Sequence, residues 1–483
     1  MSDNSAEPTK MSYGGRTSAE SWSDMSHAQR RTDAGNALVF AIEHANYARY
    51  ARDAKEWVVW DGARWCRGDD AEVIGFALMT ARGLADLPRE MFSTSGSFPD
   101  EERQRFLTWA AKSLSAERIN AIPKLAKADP SLACTLADFD RDPMLLNCPN
   151  VTVDLSTGAV RNHRQTDLIT RTTSVPYDPD ATCPSFLRFL DEITEGSAAL
   201  QHFLQVLLGY CITGSVAEEV LPIFYGSGGN GKSKLVEAVF AVLGDYAVKA
   251  NSDLLVKTKS DKHADMVMHL IGSRFAIATE SAQGAHLDER IVKELTGGDT
   301  VNARVLYQGS RDYRPTWKLL WRTNDLPNVD RYDDAIRRRL RVVPFTASFT
   351  GRENRNLDAE LAAEAEGILT WLVEGARLWH AALTAPGSTT GLPFCAEVDA
   401  QTHEYEADND RVSDFLDTWC HSGQTERGRL WNAYCEYLMA NPMQANDPLK
   451  NPRQFYAALR AKSIEECRVG TGRGFQIGLK DKS

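Results

Sequence analysis

The apolar positions of this chain change period several times, and each change marks an element. From Asn36 the segment ALVFAIEHANYARYA repeats at helical spacing and leads into WVVWDGARW, where aromatic and β-branched residues flank Asp61-Gly62 as in a hairpin. Helical spacing returns from Thr80 to about Ala128, and Leu145–Leu168 then reads as short strands with turns at Pro149-Asn150 and Thr157-Gly158. After Pro184 the segments FLRFLDEITEG and AALQHFLQVLLGYCITG predict two helices. Apolar runs of strand length follow at Leu221–Tyr225, Arg274–Thr279, Trp317–Thr323 and Arg341–Pro344, and Lys232–Leu243 has helical spacing closed by Gly244. A helix over Asp358–Ala381 and a Pro/Gly-bearing linker near Thr384–Pro393 come next. The C-terminal segment reads helix (Arg411–His421), helix (Gly428–Met439), a helix opened by Asn451-Pro452, and a glycine-rich strand–turn–strand over Cys467–Lys480, the order of a winged helix. The expected organisation is a polar, disordered tail over 1–35, a helical/mixed module over 36–215, an α/β domain over 216–350, a helical segment and linker over 351–394 and a winged-helix-like domain over 395–483.

Composition narrows this picture only slightly. A formal charge of −11 argues against indiscriminate coating of nucleic acid, although it says nothing about a local basic channel. Nine cysteines without a CxxC pair read as reduced thiols rather than a disulfide framework or a zinc ribbon. The N-terminus lacks an apolar h-region, and the greasiest stretch, Phe203–Tyr225, is interrupted by Gln205, Glu218 and Glu219. A cytoplasmic protein with no membrane partner is expected.

The candidate chemistry sits directly after the first of the strand-length runs. Gly226–Ser233 reads GSGGNGKS, the GxxxxGK[ST] pattern of a phosphate-binding loop. Backbone N–H groups of such a loop wrap a polyphosphate, Lys232 brings a cation to the β/γ-phosphates, and the Ser233 hydroxyl ligates Mg²⁺. Gly226, Gly228, Gly229 and Gly231 are expected to supply positive φ values and close backbone approach. Asn230 and Lys234 complete the candidate nucleotide-binding set, and ATP with Mg²⁺ is the expected ligand. A run at strand spacing with this loop and a helix behind it is an NTP site.

Three further features decide the class of NTP enzyme. Glu280 stands at the end of the Arg274–Thr279 run, where a carboxylate orients Mg²⁺ and polarises water. Asn324 follows Trp317–Thr323 at the same crevice end, placed to hold water or the γ-phosphate; a plain turn at Asn324-Asp325 is the alternative. Arg337, Arg338 and Arg339 precede the last strand, and a guanidinium cluster near an NTP site suggests an arginine finger, with a basic helix end or nucleic-acid patch as the alternative.

At this point the chain resembles a known family. GSGGNGKS, RFAIATES, LDERIVKELTGGDTVNARVLYQGSRDYRPTWKLLWRTNDLP and DDAIRRRLRVVPF look like the superfamily-three helicase domain, more narrowly the phage/plasmid primase family and its poxvirus primase-helicase relatives. The resemblance extends upstream through WVVWDGARW, LLNCPNVTVDLSTG, YDPDATCPSF and LGYCITG, over about residues 36–483. It implies an AAA+-type P-loop ATPase core in a ring, usually a hexamer, that translocates on single-stranded DNA and unwinds forks with 3′→5′ polarity. It further implies Lys232 and Ser233 at the phosphates and Mg²⁺, Glu280 as the acidic strand-end residue, Asn324 as sensor, and Arg338 or Arg339 reaching the neighbouring subunit's nucleotide. Thr279 occupies the slot where many ring ATPases carry a second acid.

The segment Thr300–Thr316 corresponds to the family's pore hairpin. Its tip, Tyr307-Gln308-Gly309-Ser310, lacks the basic residues common in relatives, so DNA grip is expected from Arg304, Arg311, Arg314 and stacking by Tyr307, with Gln308 beside it. In the C-terminal domain Arg453, Arg460 and Lys462 are placed to meet phosphates and Arg473 to sit in the wing. The resemblance also implies an oligomerisation collar in the last helices of the N-terminal module, and the brevity of the leading segment suggests a helicase without its own primase domain, for which a separate primase is a conceivable partner. A non-motor AAA+ initiator or loader that uses ATP as an assembly switch is the competing reading.

Overall fold

A computed structural model describes residues 31–94, 100–257, 263–279, 285–305, 309–329, 333–352, 354–440 and 451–480. The chain divides into two compact units, one of residues 1–142, 150–152 and 161–171, the other of 143–149, 153–160 and 172–483. The two helices after Pro184, which the sequence analysis grouped with the N-terminal module, therefore belong to the second unit.

The first unit opens with a helix over Asp33–His44, capped where the Thr32 hydroxyl accepts from the Gly35 N–H at 2.9 Å. The expected helix extends no further: Ala48–Ala51 is already a strand, paired antiparallel with Glu56–Trp60, which pairs in turn with Trp65–Arg67. Asp61 closes the last turn by accepting from the Ala63 and Arg64 N–H groups at 2.8 Å each, and Gly62 takes φ +109° beside it. Helices over Asp70–Thr94, Asp100–Ser113 and Ala116–Ala126 cover the sheet, with Phe40, Trp57, Ala77, Ala81, Ile122 and Leu132 in one apolar core. Trp65 is buried in a second cluster with Val58, Cys134 and Phe139.

The second unit is built on a five-stranded, wholly parallel sheet whose spatial order is Leu340–Pro344, Leu221–Tyr225, Lys318–Thr323, Phe275–Ala278, Ala247–Ala250. This mixed α/β arrangement is consistent with a P-loop ATPase core. Its central strands are apolar on both faces, with Leu221, Ile223, Phe224, Phe275, Ala276, Leu320 and Trp321 all buried, because helices lie on both sides. The strand Ala247–Ala250 has no counterpart among the expected elements: AVKA is short, and only partly buried at the sheet edge. The opposite edge, Leu340–Pro344, is covered by the helix Ala396–Asn409, whose Thr402 hydroxyl accepts from the Val342 N–H at 2.9 Å.

Two cations hold a helix beneath this sheet. Arg274 donates to the carbonyls of Ile212 (3.0 Å) and Leu145 (2.7 Å), and Lys318 donates to those of Thr213 and Thr316, so both satisfy groups at or near the C-terminus of the helix Ala198–Ile212. Burial drives the Lys318 ammonium well below the usual lysine range. The same helix crosses Ala365–Leu383 at a glycine contact: a Cβ on Gly209 would meet the Ala376 nitrogen at 2.2 Å, and one on Gly375 the Gln205 oxygen at 2.1 Å. That close crossing, not sequence proximity, assigns Ala198–Ile212 to the second unit.

The C-terminal part folds as helices Arg411–Trp419, Arg427–Ala440 and Pro452–Ala461 with a hairpin, Glu466–Val469 and Gly472–Phe475. Thr425–Glu426 adds a third strand to the hairpin. An aromatic core of Phe415, Tyr434, Tyr437, Phe455 and Phe475 joins them, with Tyr434 and Phe455 stacked at 4.3 Å.

Candidate nucleotide site

In a parallel sheet every loop that follows a strand emerges at the same end. The loop after Tyr225 and Asn324 after Thr323 are therefore neighbours, since the two strands are paired with Thr323 opposite Tyr225. The geometry bears this out at atomic scale: Lys232 Nζ donates to Asn324 Oδ1 at 3.1 Å, and also to the carbonyls of Gly226 (2.5 Å) and Ser227 (3.3 Å). Lys232 is 3 % exposed, so its ammonium lies within the loop and not over it.

The loop is shaped by close approach. Gly226 has φ +150°, and a Cβ there would lie 2.2 Å from the Phe345 carbonyl oxygen. Asn230, buried, donates to that same carbonyl at 3.0 Å and so ties the loop to the end of the neighbouring strand. Gly229 takes φ +72°, and its carbonyl accepts from the Phe349 N–H at 2.8 Å. Gly231 takes φ +86° as the residue before the helix Lys232–Leu243, and a Cβ would lie 2.3 Å from Ile193 Cγ2. Gly228 departs from expectation: its φ is not positive and nothing lies within 4 Å of an added Cβ. The loop makes its reversals at the other three glycines, which leaves Gly228 without a steric requirement from the protein.

Ser233 is exposed on the first turn of that helix. Lys234 points elsewhere, forming an ion pair with Asp358 at 2.6 Å. Glu280 lies outside the described residues; Thr279 before it directly follows the Phe275–Ala278 strand at the crevice end. The crowded glycines, the buried lysine and the strand-end asparagine fit a nucleoside triphosphate, whose phosphates would replace the loop carbonyls and Asn324 as partners of Lys232.

The arginines sit at the other end of the sheet. Leu340 pairs with Leu221 and Pro344 with Tyr225, so residues that precede Leu340 flank the start of the phosphate-loop strand, a strand's length (about 15 Å) from the loop itself. Nearness in the sequence therefore does not translate into nearness to this chain's own loop. The three arginines also differ sharply. Arg337 pairs with Asp334 and Glu406. Arg339, 6 % exposed, donates to Glu219 Oε2 (2.7 Å), Thr296 Oγ1 (3.1 Å) and the Ala335 carbonyl (2.9 Å). Arg338 is 67 % exposed at its side chain and lies 3.7 Å from the same Glu219 oxygen.

The hairpin is present as Val301–Val305 paired with Gly309–Tyr313, with Arg304 opposite Ser310 and Arg311 opposite Ala303. Tyr307 and Gln308 lie outside the described residues, and Arg314 is exposed just past the second strand. In the C-terminal part Arg453 and Arg473 are exposed. Arg460 and Lys462 are drawn inward instead: Arg460 pairs with Glu466 at 2.6 Å, and Lys462 reaches Asp410 and the Ser413 hydroxyl. Sequence reading missed Glu219 and Thr296 altogether; Glu219 registered only as a charge breaking an apolar stretch.

Residues 37–195 match the family described as D5 N terminal like, and 224–339 match a Family of unknown function (DUF5906). A "Putative helicase" of Acanthamoeba polyphaga mimivirus is 30% identical over 220 residues, covering 44% of this chain and 23% of that protein. A "Putative helicase" of Invertebrate iridescent virus 6 is 28% identical over 223 residues, with the same coverages of 44% and 23%. A "Putative primase" of African swine fever virus is 24% identical over 298 residues, 58% of this chain and 31% of that protein. The chain thus spans between 23% and 31% of the length of these curated relatives. Among solved structures, an apo form of the NrS-1 C terminal region covers 89% of this chain and 95% of that one at 13% identity and a TM-score of 0.49. No helix among the described residues is long and apolar enough to cross a membrane.

Proposed function

We propose, for a chain that belongs to the D5/DUF5906 primase-helicase family, an ATP-driven motor that unwinds DNA during replication, assembled as an AAA+-type ring with nucleotide sites shared between subunits. The observation that carries this reading is the separation of its parts: Lys232 meets Asn324 at one end of a parallel sheet, while Arg338 stands exposed at the other. An arginine so placed is too far away to serve the phosphates held by its own chain, yet is well placed to serve those of a neighbour in a head-to-tail ring.

In such a site the loop amides and Lys232 hold the phosphates, Ser233 and Glu280 hold Mg²⁺, and Asn324 orients the γ-phosphate or the attacking water. The bound Mg²⁺ nucleotide supplies the phosphoryl group and the charge neutralisation that its transfer needs. A hexamer, 3′→5′ polarity and single-stranded or forked DNA as substrate follow from the family resemblance, with Arg304, Arg311 and Arg314 of the hairpin segment as the strand contacts. Arg453 and Arg473 offer a second DNA-facing surface on the winged-helix-like part.

Forked duplexes bearing either a 3′ or a 5′ tail test the proposal. Strand separation that needs ATP and is abolished by Lys232→Ala supports the motor. ATP hydrolysis without separation of either fork refutes it in favour of an ATP-dependent assembly switch.

A further inference from the structure

The turn that precedes the phosphate-loop strand carries a strained acid. Residues 216–219 form a turn closed by the Glu219 N–H on the Val216 carbonyl at 3.1 Å, and Glu219 takes φ +49°, a left-handed conformation that strains an L-residue with a Cβ. Glycine would occupy this position without strain, so the side chain earns its place by what it touches. Its neighbour Glu218 faces the linker, accepting from Trp379 Nε1 and the Gly391 N–H at 2.7 Å each. Glu219 faces the arginines, and one oxygen, Oε2, serves both: Arg339 at 2.7 Å and Arg338 at 3.7 Å.

The two guanidinium groups are held unequally. Arg339 is buried and fully engaged, through Glu219, the Ala335 carbonyl and Thr296, the last residue of the helix Glu289–Thr296 that leads into the hairpin. Arg338 is exposed and only loosely attracted, so it keeps the reach to engage an external anion while its backbone is fixed by the residue beside it.

We propose that Glu219 is a positioning residue for the inter-subunit site: with Arg339 as a buried strut, it fixes where Arg338 is presented to the nucleotide of the adjacent chain. The proposal rests on the shared-site reading above. Glu219 touches no reacting atom; it acts through the arginines. Its left-handed turn puts the carboxylate under the end of Leu340–Pro344, and the helix end at Thr296 ties the same strut to the hairpin segment.

The test uses mixed assemblies of the full chain. A subunit lacking Lys232 cannot bind phosphate but still presents Arg338; a subunit lacking the arginine can bind but not complete its neighbour. Glu219→Gln keeps the size of the side chain and removes its charge. It is expected to lower the ATPase kcat about 100-fold, the order of effect of misplacing a group by an ångström, with KM and fluorescent-nucleotide affinity unchanged. Mixing it with Lys232→Ala, which is expected to be inactive alone, should restore turnover, as should mixing Arg338→Ala with Lys232→Ala. A fault in its own nucleotide domain would not be repaired this way. Should Glu219→Gln melt early, Glu219→Gly, which relaxes the turn while removing the acid, carries the same expectation. Wild-type kcat in both variants overturns the proposal, and so does a lowered kcat that Lys232→Ala fails to rescue while it rescues Arg338→Ala. If Arg338→Ala is not rescued either, the shared site itself falls and takes the proposal with it.

Discussion

Arg338 and Arg339 are adjacent and chemically identical, yet the structure assigns them opposite consequences when truncated. Arg339→Ala removes the donors that satisfy Glu219 and Thr296 and leaves a gap in a buried corner. The acid left behind keeps 41 % side-chain exposure and stays solvated, so the cost is that of the lost charged hydrogen bonds and the gap, about 2 kcal/mol, and not that of an unpaired buried charge. Arg338→Ala removes an exposed group 3.7 Å from its acid, an interaction worth about 0–1 kcal/mol. Urea titration of the second unit, followed by the fluorescence of its tryptophans, separates the two: Arg339→Ala should lower the midpoint clearly at unchanged slope, and Arg338→Ala should leave it near wild type. Turnover adds the second axis. Arg338→Ala should lose hydrolysis by about 10³-fold, the scale of an arginine finger, in a chain that is fully folded. The reasoning is refuted if Arg339→Ala unfolds at the wild-type midpoint, or if Arg338→Ala is the less stable of the pair.

Three further outcomes follow. Gly231→Ala forces a Cβ to within 2.3 Å of Ile193 Cγ2 at φ +86°, and should weaken binding of a fluorescent ATP analogue by at least about tenfold; wild-type affinity would refute the strain argument. His44, buried against Thr80, has its imidazole lowered to about 4 by burial, so the folded state keeps it neutral while the unfolded chain protonates below its ordinary 6.5. The unfolded state then binds more protons between those values, and the first unit should lose stability as pH falls from 6.5 towards 4, by up to ~1.4 kcal/mol per pH unit; His44→Gln should flatten that slope, and an equally steep slope in the variant would refute it. In the C-terminal part, Arg453→Ala and Arg473→Ala should each reduce the magnitude of the salt slope of DNA binding by roughly 0.7–0.9, whereas Lys462→Ala, which breaks the Asp410 contact, should lower stability and leave that slope alone; identical slopes in all three variants would remove this face as a DNA surface.

Much of the nucleotide domain was legible because its signals are local. The GSGGNGKS loop, the apolar run before it and the helical spacing after it specify strand, loop and helix without reference to the rest of the chain. Asp61-Gly62 announced its hairpin for the same reason, since the side chain and the positive φ that close the turn are adjacent residues. What escaped was fixed by distant partners. Ala48–Ala51 continues the helical spacing of the preceding segment, and only its pairing with Glu56–Trp60 makes it a strand. Ala247–Ala250 is too short for a periodic signal and exists because Phe275–Ala278 offers it an edge. The helix Ala198–Ile212 could not be assigned to a unit from its own residues, because its glycine crossing requires Gly375.

The arginine cluster shows why spacing alone misleads about a site. Arg338 stands fourteen residues beyond Asn324 in sequence, which invites placing both at one nucleotide. Between them, however, a new parallel strand begins, and a residue before a strand lies at the opposite end from a residue after one. The register of Leu340 with Leu221 therefore carries the functional information that the RRR motif lacks. A chain so built has its candidate phosphate loop at one end of its sheet and an exposed guanidinium at the other, with the length of a paired strand between them. If Arg338 contributes to hydrolysis, the complete site exists only between copies, and assembly is then a requirement of the chemistry itself.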